Sequence, residues 1–316
     1  MNIVVVGAGA LGLYFAAKLA AAPDVETVTL VARSDAADRF ANGEPLVVDY
    51  GDQQRETRAV TVVSDIADVR GDADLVVVTV KSWQVPGVAE LVAPLVGPRT
   101  LVMTVQNGVD APLEVAKIVG SSHVVAATCV VIAQRIGPLT ARCLGRDAAV
   151  EVGPIDHTDR PSDAHARLAT VLLGAGLQVT VNLDMRRALW RKLMLVASYG
   201  GVGALCRQPT GVTATDPITH ALVEAAMREV AAVACAHGVH VGPDDVTEAM
   251  SVYVGFESAT TSSMQRDLLA GRPSELFEQN GAVLAYAEQA GVEVPVHRMI
   301  VATQSPGERL ARSEPR

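Results

Sequence analysis

A glycine-rich loop near the start of the chain constrains the fold more than any other stretch of the sequence. A short uncharged β-branched run, residues 2–6, precedes this loop, and residues 13–20 have the composition of a helix. Strand, GxGxxG turn and helix in this order form the dinucleotide-binding fingerprint, in which the helix N-terminus faces the pyrophosphate. Such glycines can also be purely structural, but a position directly after a hydrophobic strand favours a nucleotide site. The predicted cofactor-binding loop consists of Gly7, Ala8, Gly9, Ala10, Leu11 and Gly12.

Composition limits the classes of protein to consider. With 316 residues the chain is long enough for two domains of roughly 150 residues each. The net charge of −9 and the lack of a basic stripe argue against nucleic acid as a partner. No apolar run reaches the roughly 18–20 residues that cross a bilayer, and a first strand beginning at Asn2 leaves no room for a signal peptide. We therefore predict a cytoplasmic protein with no membrane contact.

The cysteines and histidines give no indication of a metal site. The seven histidines form no HxxxH or HExxH pair, and the cysteines form no CxxC pair. No metal ligand set is therefore predicted. We expect four reduced thiols, buried or half-buried: Cys129, Cys143, Cys206 and Cys235.

The hydrophobic pattern changes from strands to helices near residue 182. The expected strands are residues 2–6, 25–31, 46–50, 59–63, 74–80, 101–105, 124–131, 139–142, 148–153 and 177–181. The segments on either side of residues 143–147 are expected to pair antiparallel. The expected later helices are residues 184–199, 216–237, 243–254, 261–270 and 274–290, and the polar tail from Ser305 is expected to fray. We predict an α/β fold, with an N-terminal Rossmann-type dinucleotide-binding domain over residues 1–182 and an all-helical domain over residues 183–316.

The end of the second predicted strand indicates which cofactor is used. In NAD-binding folds this strand commonly ends in Asp or Glu, which bonds the ribose 2′-hydroxyl. Here it ends in Arg33, followed by Ser34. A guanidinium binds a 2′-phosphate through charge-assisted hydrogen bonds, whereas a carboxylate would repel it. The position therefore favours NADP, used as NADPH, over the alternative of an ordinary solvated arginine.

Lys81 and Asn107 follow two of the apolar strands and are expected at one edge of the sheet. Lys81 comes directly after residues 74–80, and Asn107 lies in Gln-Asn-Gly after residues 101–105. Ligands bind at the carboxyl edge of the sheet in this architecture. Either residue alone would more often belong to an ordinary loop, but two polar strand ends beside the glycine loop favour a site.

Three residues of the predicted helical domain are further candidates. Lys192 shares a helix face with apolar residues such as Val196. Burial of a charged ammonium on such a face is costly in free energy unless the side chain reaches solvent by snorkelling, forms an ion pair or serves a function in a cleft. The pattern favours neither a snorkelling lysine nor a lysine with a functional role. Glu275 fits an ordinary first-turn carboxylate, and Ser263 fits an ordinary residue at a helix start. By residue chemistry alone these ordinary roles are favoured for Glu275 and Ser263.

Together these motifs resemble the ketopantoate reductase (2-dehydropantoate 2-reductase) family over essentially the whole chain. The order and spacing of the set are specific for that family, although no single motif is. The resemblance implies a Rossmann domain, a helical domain, a cleft between them, and hydride transfer from NADPH to the C2 carbonyl of a 2-oxo acid. It is carried by Gly7–Gly12, Val80-Lys81-Ser82-Trp83-Gln84, Gln106-Asn107-Gly108, Leu189-Trp190-Arg191-Lys192-Leu193, Ser262-Ser263-Met264-Gln265-Arg266-Asp267, Arg272-Pro273-Ser274-Glu275 and Asn280-Gly281.

The resemblance also implies roles for individual residues. Lys192 matches the general acid that protonates the developing alkoxide, and Glu275 matches the acidic residue that orients the lysine and the cofactor end of the site. Asn107 matches the amide between nicotinamide and substrate, and Ser263 matches a hydroxyl that contacts the substrate. Further cofactor contacts are matched by Arg33, Lys81 and the backbone of Ala133.

Four positions depart from the usual pattern of the family. Val196 and Gly200 stand where the family usually carries substrate-binding asparagines, one and two turns after the lysine. Thr210 replaces a further asparagine, and Phe277 replaces an aspartate. Loss of these amides should weaken recognition of ketopantoate, because a site built to pair polar groups discriminates strongly.

The sequence thus predicts an NADPH-dependent reductase of a small-molecule 2-oxo acid. Reduction of 2-dehydropantoate to pantoate, a step of pantothenate biosynthesis, is favoured. One alternative is a paralogue that reduces a different, more apolar 2-oxo acid or ketone. Another is a catalytically weak NADP-binding redox sensor, which would need neither Lys192 nor Glu275. The apolar helical domain is compatible with a homodimer.

Overall fold

Two compact units make up the chain. The computed structural model describes residues 1–156, 158, 160 and 162–313, without the side chains of residues 144–147. The first unit comprises Met1–Gln106 and Asp110–Met185. The second comprises the short segment Asn107–Val109 and the chain from Arg186 onward.

A mixed sheet forms the centre of the first unit. Over the described ranges its strands are β1 Asn2–Val6, β2 Thr27–Val31, β3 Leu46–Asp49, β4 Gln54–Thr57, β5 Thr61–Val63, β6 Leu75–Val78, β7 Leu101–Thr104, β8 Val124–Arg135, β9 Thr140–Pro154 and β10 Gln178–Val181. They lie in the order β4-β3-β9-β8-β7-β6-β1-β2-β5, and β10 pairs with β9. The strands from β8 to β5 in this order are mutually parallel. The predicted α/β class is confirmed.

Small aliphatic side chains fill the core of the first unit, as the low aromatic content requires. Two aromatic rings, Tyr14 and Phe15, are fully buried and meet edge to face at 5.9 Å between centroids. The Tyr14 hydroxyl accepts a hydrogen bond from the N–H of Ala148 at 3.0 Å, which fastens the first helix to β9. The helices of this unit are α1 Ala10–Leu19, α2 Ser34–Ala41, α3 Val85–Val92, α4 Ala111–Val119 and α5 Asp163–Gly174.

The two short strands expected at 46–50 and 59–63 form as β3 and β5, but they lie near opposite edges of the sheet. β3 pairs antiparallel with β4, which lies between the two expected strands in the sequence, and β5 pairs parallel with β2. The side chains of β4 are polar, and all but the half-buried Thr57 are exposed. It therefore lacks the apolar alternation by which a strand is identified in a sequence.

The prediction that residues 139–142 pair antiparallel with residues 148–153 is wrong. Residues 140–142 and 148–153 lie in the single strand β9, which pairs antiparallel with β8. β8 ends at Arg135 rather than at residue 131, so it is long enough to pair with both halves of β9. A register shift between Val130 and Ile132 accommodates the residues between the two halves.

The described part of the second unit is helical, as predicted. Its helices are α6 Met185–Cys206, which begins at the last residue of the first unit, α7 Thr210–Thr213, α8 Pro217–Ala236, α9 Pro243–Val254, α10 Ser263–Leu269, α11 Ala282–Ala290 and α12 Pro295–Ser313. The continuous helix expected over residues 274–290 is wrong, because Phe277–Gly281 forms a π-helical turn before α11. Glu275 therefore precedes the helical turn instead of lying in its first turn.

The tail from Ser305, which was expected to fray, is helical as far as Ser313. Residues 314–316 lie outside the described residues. Glu308 in this stretch is 1% exposed and bonds Ser274, so a polar side chain of the tail is held inside the unit. Composition could not show this, because the partner lies 34 residues away in the chain.

All four cysteines are free thiols. Cys129 and Cys143 are buried and Cys206 is half-buried, but Cys235 is exposed, which corrects the expectation for that residue. Within the described residues, no helix is long and apolar enough to cross a membrane. The same residues contain no cluster of three or more His, Cys, Asp or Glu side chains that could hold a metal ion.

Candidate functional site

The glycine loop between β1 and α1 is held by close backbone packing. Gly7 has φ +110°, a conformation that favours glycine, and its N–H donates to the Val31 carbonyl at 3.0 Å. A Cβ at Gly12 would overlap the carbonyl oxygen of Gly7, so only glycine lets α1 approach the loop. The Thr79 hydroxyl donates to the carbonyls of Val6 and Gly7 at 3.0 and 2.8 Å. The residues that follow β6 therefore fix the loop.

Gly9, the middle glycine, is not required by internal packing. A Cβ there would have its nearest neighbour, the Thr79 carbonyl oxygen, at 3.9 Å. Gly9 is the N-cap of α1, and no side chain among the described residues caps this helix. The first turn also carries no acidic residue. Open space over the backbone and an uncapped helix N-terminus together fit an anionic ligand group.

Two arginines of the first unit interact with each other. Arg33 follows β2 in extended conformation, and Arg135 is the last residue of β8. The Arg135 Nε donates to the Gly137 carbonyl at 3.0 Å. Partial desolvation, and after it repulsion from Arg33, lower the pKa of Arg135, whereas Asp35 acts in the opposite direction. Two mutually repelling guanidinium groups fit a phosphate, which carries more than one negative charge.

Lys81 and Ala133 also lie in the first unit. Lys81 comes soon after β6 and is half-buried, with its Nζ 5.9 Å from the centroid of the Trp83 ring. Ala133 pairs with Cys143 in the extended part of β8. Since side chains alternate along a strand, Ala133 and Arg135 lie on the same face of β8.

The Gln106-Asn107-Gly108 motif passes from the first unit into the second. The Gln106 side-chain amide donates to the carbonyls of Val78 and Val80 at 2.8 and 2.9 Å, which ties the carboxyl ends of β6 and β7 together. Gly108 has φ +125°, and a Cβ there would lie 3.0 Å from the carbonyl oxygen of Glu278. Gly108 therefore lies beside the π-helical turn, directly after the half-buried Asn107.

Lys192 lies on α6 in a stripe that continues at Val196 and Gly200. Lys192 and Val196 are both half-buried. At Gly200 an added Cβ would lie 2.9 Å from the Cβ of Ser262. The Ser262 hydroxyl accepts the N–H of Gln265 at 3.0 Å and so caps α10, of which Ser263 is the first residue. Ser262 thus fills the space that a side chain at position 200 would need.

Glu275 is buried, with 5% exposed, in the segment before the π-helical turn. The Gln279 side-chain amide donates to its carboxylate at 3.4 Å, and the Gln279 N–H donates to its carbonyl at 2.9 Å. Asn280 donates to the carbonyl of Ala197 on α6 at 3.0 Å. Ala197 lies about 7.5 Å along the helix axis from Lys192. The element that carries Glu275 is therefore fastened to the helix that carries Lys192.

Thr210 and Phe277 have structural partners. The Thr210 hydroxyl donates to the Glu257 carbonyl at 3.0 Å, and its N–H donates to the Thr260 carbonyl at 3.0 Å. The Phe277 ring lies 5.1 Å from the guanidinium carbon of Arg312. Neither position supplies an amide to a substrate.

The structure divides the candidate residues between the units. The first contains the glycine loop, Arg33, Lys81 and Ala133, and the second contains Asn107, Lys192, Ser263 and Glu275. Sequence reasoning overlooked Arg135, because its approach to Arg33 depends on the unexpected length of β8. It named Gln106 and Asn280 within motifs but gave neither a role, and it did not single out Gln279. The spacing of Gln279 from Glu275, one helical turn, was the available signal.

Comparisons with known proteins agree across both units. The family model described as Ketopantoate reductase PanE/ApbA matches residues 3–157, and the model of its C-terminal part matches residues 184–305. A 2-dehydropantoate 2-reductase from Mesorhizobium japonicum is 32% identical over 303 residues, covering 87% of this chain and 88% of that protein. The crystal structure of a PanE/ApbA family ketopantoate reductase from Ralstonia eutropha JMP134 has a TM-score of 0.86 at 29% identity, with 99% and 100% of the chains covered. The ternary structure of D-mandelate dehydrogenase with NADH and anilino(oxo)acetate has a TM-score of 0.89 at 20% identity, with 99% and 100% covered, a likeness of fold alone.

Proposed function

Because the chain belongs to the ketopantoate reductase family, whose 2-dehydropantoate 2-reductases are oxidoreductases acting on CH–OH groups, we propose that it reduces the C2 carbonyl of a 2-oxo acid with NADPH. The favoured reaction converts 2-dehydropantoate to pantoate. One contact in the second unit carries this proposal. Asn280 fastens the segment that contains the buried Glu275 to α6, the helix that contains Lys192.

The first unit, proposed as the cofactor domain over residues 1–182, has groups that fit NADPH. The open backbone at Gly9 and the uncapped α1 N-terminus suit the pyrophosphate, and Arg33 and Arg135 suit the 2′-phosphate. Lys81 and the backbone of Ala133 would make further contacts. The bound cofactor supplies the hydride for C2 of the substrate.

The second unit, proposed as the catalytic domain from residue 183 onward, would bind the substrate and supply the proton. The Lys192 ammonium would donate a hydrogen bond to the substrate carbonyl oxygen and then protonate it as it becomes an alkoxide. Glu275, whose carboxylate is bonded by Gln279, would orient that ammonium. The Asn107 amide and the Ser263 hydroxyl would orient the substrate.

A more apolar 2-oxo acid is the second candidate substrate, and the replaced asparagines favour it. Val196 presents a branched hydrocarbon where an amide is usual, and Ser262 occupies the space beside Gly200. The Thr210 hydroxyl is already bonded to a backbone carbonyl. A pocket with fewer amides recognises the hydroxyl and carboxylate of ketopantoate less strongly.

Oxidation of NADPH with a panel of 2-oxo acids tests these proposals. The panel should contain ketopantoate, 2-oxoisovalerate and the aromatic phenylglyoxylate, each compared by kcat/KM. The highest value for ketopantoate would support the favoured reaction, and the highest value for an apolar acid would support the second candidate. Tight NADPH binding without turnover of any substrate would refute an enzyme and leave a redox sensor.

Replacement of the proposed acid tests the mechanism. Lys192→Ala should lower kcat by about 10²–10⁴-fold, the usual contribution of general acid catalysis, and leave the Kd of NADPH nearly unchanged. Lys117→Ala, at an exposed lysine paired with Glu114, is the matched control and should behave as wild type. An unchanged rate in Lys192→Ala would show that another group supplies the proton.

A homodimer and a cytoplasmic location stay predictions. Size-exclusion chromatography with light scattering measures the mass in solution. A mass of 33.0 kDa, that of one chain, would refute the dimer.

A further inference from the structure

The last turns of α12 lie beside the segment that carries Glu275. We propose that Glu308 and Arg312 are positioning residues, which hold Glu275 in place for its action on Lys192. This inference rests on the proposed function, in which Glu275 is the orienting carboxylate. It gives a role to the tail, which composition alone predicts to fray.

Glu308 fixes the backbone directly before Glu275. Its two carboxylate oxygens each accept the N–H of Ser274 at 3.0 Å, and one of them accepts the Ser274 hydroxyl at 2.6 Å. The same hydroxyl oxygen accepts the N–H of Leu276 at 3.2 Å. Both residues that flank Glu275 therefore have their N–H groups held by one connected set of bonds. Ser274 and Glu308 are 0% and 1% exposed, so water does not replace these bonds.

Arg312 bonds residues on both sides of Glu275. Its terminal nitrogens donate to the two carboxylate oxygens of Glu278 at 3.0 and 2.7 Å, the fork geometry that arginine and a carboxylate form best. One of these nitrogens also donates to the Ser274 carbonyl at 2.9 Å. The Arg312 Nε donates to Glu308 at 2.6 Å, which joins the two positioning residues.

The segment from Ser274 to Asn280 is held on its other side by α6. Asn280 donates to the Ala197 carbonyl, and a Cβ at Gly201 would lie 2.8 Å from Asn280 and 2.7 Å from Ile300 of α12. Glycine at position 201 thus allows a close approach of three elements. The segment lies between the helix of the proposed acid and the C-terminal helix.

The backbone of this segment needs such external support. A π-helical turn is a rare and less regular conformation than an α-helix, and Glu275 precedes it, held in the backbone by the bond from the Gln279 N–H to its carbonyl. The position of the Glu275 carboxylate therefore depends on its neighbours' bonds to α12 and α6. Displacement of a catalytic group by about 1 Å can lower a rate by about 100-fold.

Arg312→Gln tests the inference, with kcat, KM and the Kd of NADPH measured on the full chain. We expect kcat to fall by about 10–100-fold, with a much smaller change in the Kd of NADPH, because the groups proposed to bind its pyrophosphate and 2′-phosphate lie in the other unit. Arg312→Lys keeps the charge but not the fork, so its kcat should be intermediate. The matched control is Arg309→Gln, at an exposed arginine on the same helix, and it should keep wild-type kcat.

Ser274→Ala decides the outcome if Arg312→Gln does not fold. It removes only the hydroxyl that joins Glu308 to Leu276, and we expect a lowered kcat with a Tm near that of wild type. Wild-type kcat in folded Arg312→Gln or in Ser274→Ala would overturn the inference. So would a loss of kcat that vanishes at temperatures well below the Tm of the variant, because that loss would reflect stability alone.

Glu275→Gln separates this inference from the proposed function. If Glu275→Gln turns over at the wild-type rate, Glu275 is not the orienting carboxylate and the proposed function fails at that residue. If Glu275→Gln loses activity while folded Arg312→Gln and Ser274→Ala keep theirs, only the positioning role of α12 fails.

Discussion

Glutamine at positions 33 and 135 should change the cofactor preference of the first unit. Hydrogen bonds to charged groups contribute about 1.5–3 kcal/mol. Because both arginines are exposed, the bond from each to the phosphate should contribute an amount at the lower end of this range. Since 1.4 kcal/mol is tenfold in a dissociation constant, each of Arg33→Gln and Arg135→Gln should raise the Kd of NADPH about tenfold. The Kd of NADH, which has no 2′-phosphate, should change little.

In the double variant Arg33→Gln/Arg135→Gln, the loss of affinity for NADPH should be smaller than the product of the losses in the two single variants. Desolvation, and after it repulsion from Arg33, lowers the pKa of Arg135, and a phosphate bound between the two guanidinium groups would offset this repulsion. Each single replacement already removes this favourable effect of the phosphate. When the free-energy losses of the two single variants are added, the effect is therefore counted twice. We therefore expect a total loss below about 100-fold in the Kd of NADPH.

Calorimetric titration with NADPH and with NADH at two salt concentrations measures these effects. Salt screens exposed charges over a Debye length of about 10 Å at 0.1 M, so added salt should weaken NADPH binding to wild type more than to the double variant. Arg55→Gln, at an exposed arginine of β4, is the control and should match wild type. An equal loss for both cofactors, or no loss, would refute the phosphate-binding role, and tighter wild-type binding of NADH would refute the preference for NADPH.

Two further predictions concern the second unit. At Asp245 burial opposes ionisation, but the N–H of Gly242 and the Arg187 guanidinium outweigh it, and the pKa lies below its usual 3.8. A lowered folded-state pKa stabilises the fold above the unfolded-state value, and this contribution is lost as the pH falls through the folded-state value. The Tm of Asp245→Asn should therefore fall less than that of wild type between about pH 5 and about pH 2, and equal slopes would contradict this. Gly200→Ala should cost about 1–3 kcal/mol by overpacking against Ser262, or roughly 2–4 °C in Tm for each kcal/mol; an unchanged Tm would show that Ser262 yields.

The glycine loop could be predicted from the sequence because its requirements are local. The positive φ of Gly7 and the close approach at Gly12 arise within one strand–turn–helix unit. The apolar strands β6 and β7 were predictable for the same reason, since burial on both faces leaves a continuous hydrophobic run. Asp216, which accepts the N–H groups of Ile218 and Thr219, likewise shows a helix start that a few neighbouring residues determine.

The features that the sequence did not predict depend on residues far apart in the chain. β4 is polar and exposed, and it is a strand because β3 offers it a partner. β9 is one strand because β8 continues past the expected end, and the same extension carries Arg135. Glu308 and Arg312 look like solvated charges until Ser274 and Glu278 are placed beside them. The local sequence pattern does not show these pairings, because they are decided by tertiary packing.

The positions that depart from the family's pattern show why one reversion would not rebuild a ketopantoate pocket. Each of three replacements is integrated with a neighbour: Gly200 with Ser262, Thr210 with the Glu257 carbonyl, and Phe277 with Arg312. An asparagine at position 200 would displace the cap of α10, and one at position 210 would remove a buried hydrogen bond. Val196 is half-buried, and its hydrocarbon side chain makes no hydrogen bond that a replacement would break, so Val196→Asn would add an amide without the loss of such a bond.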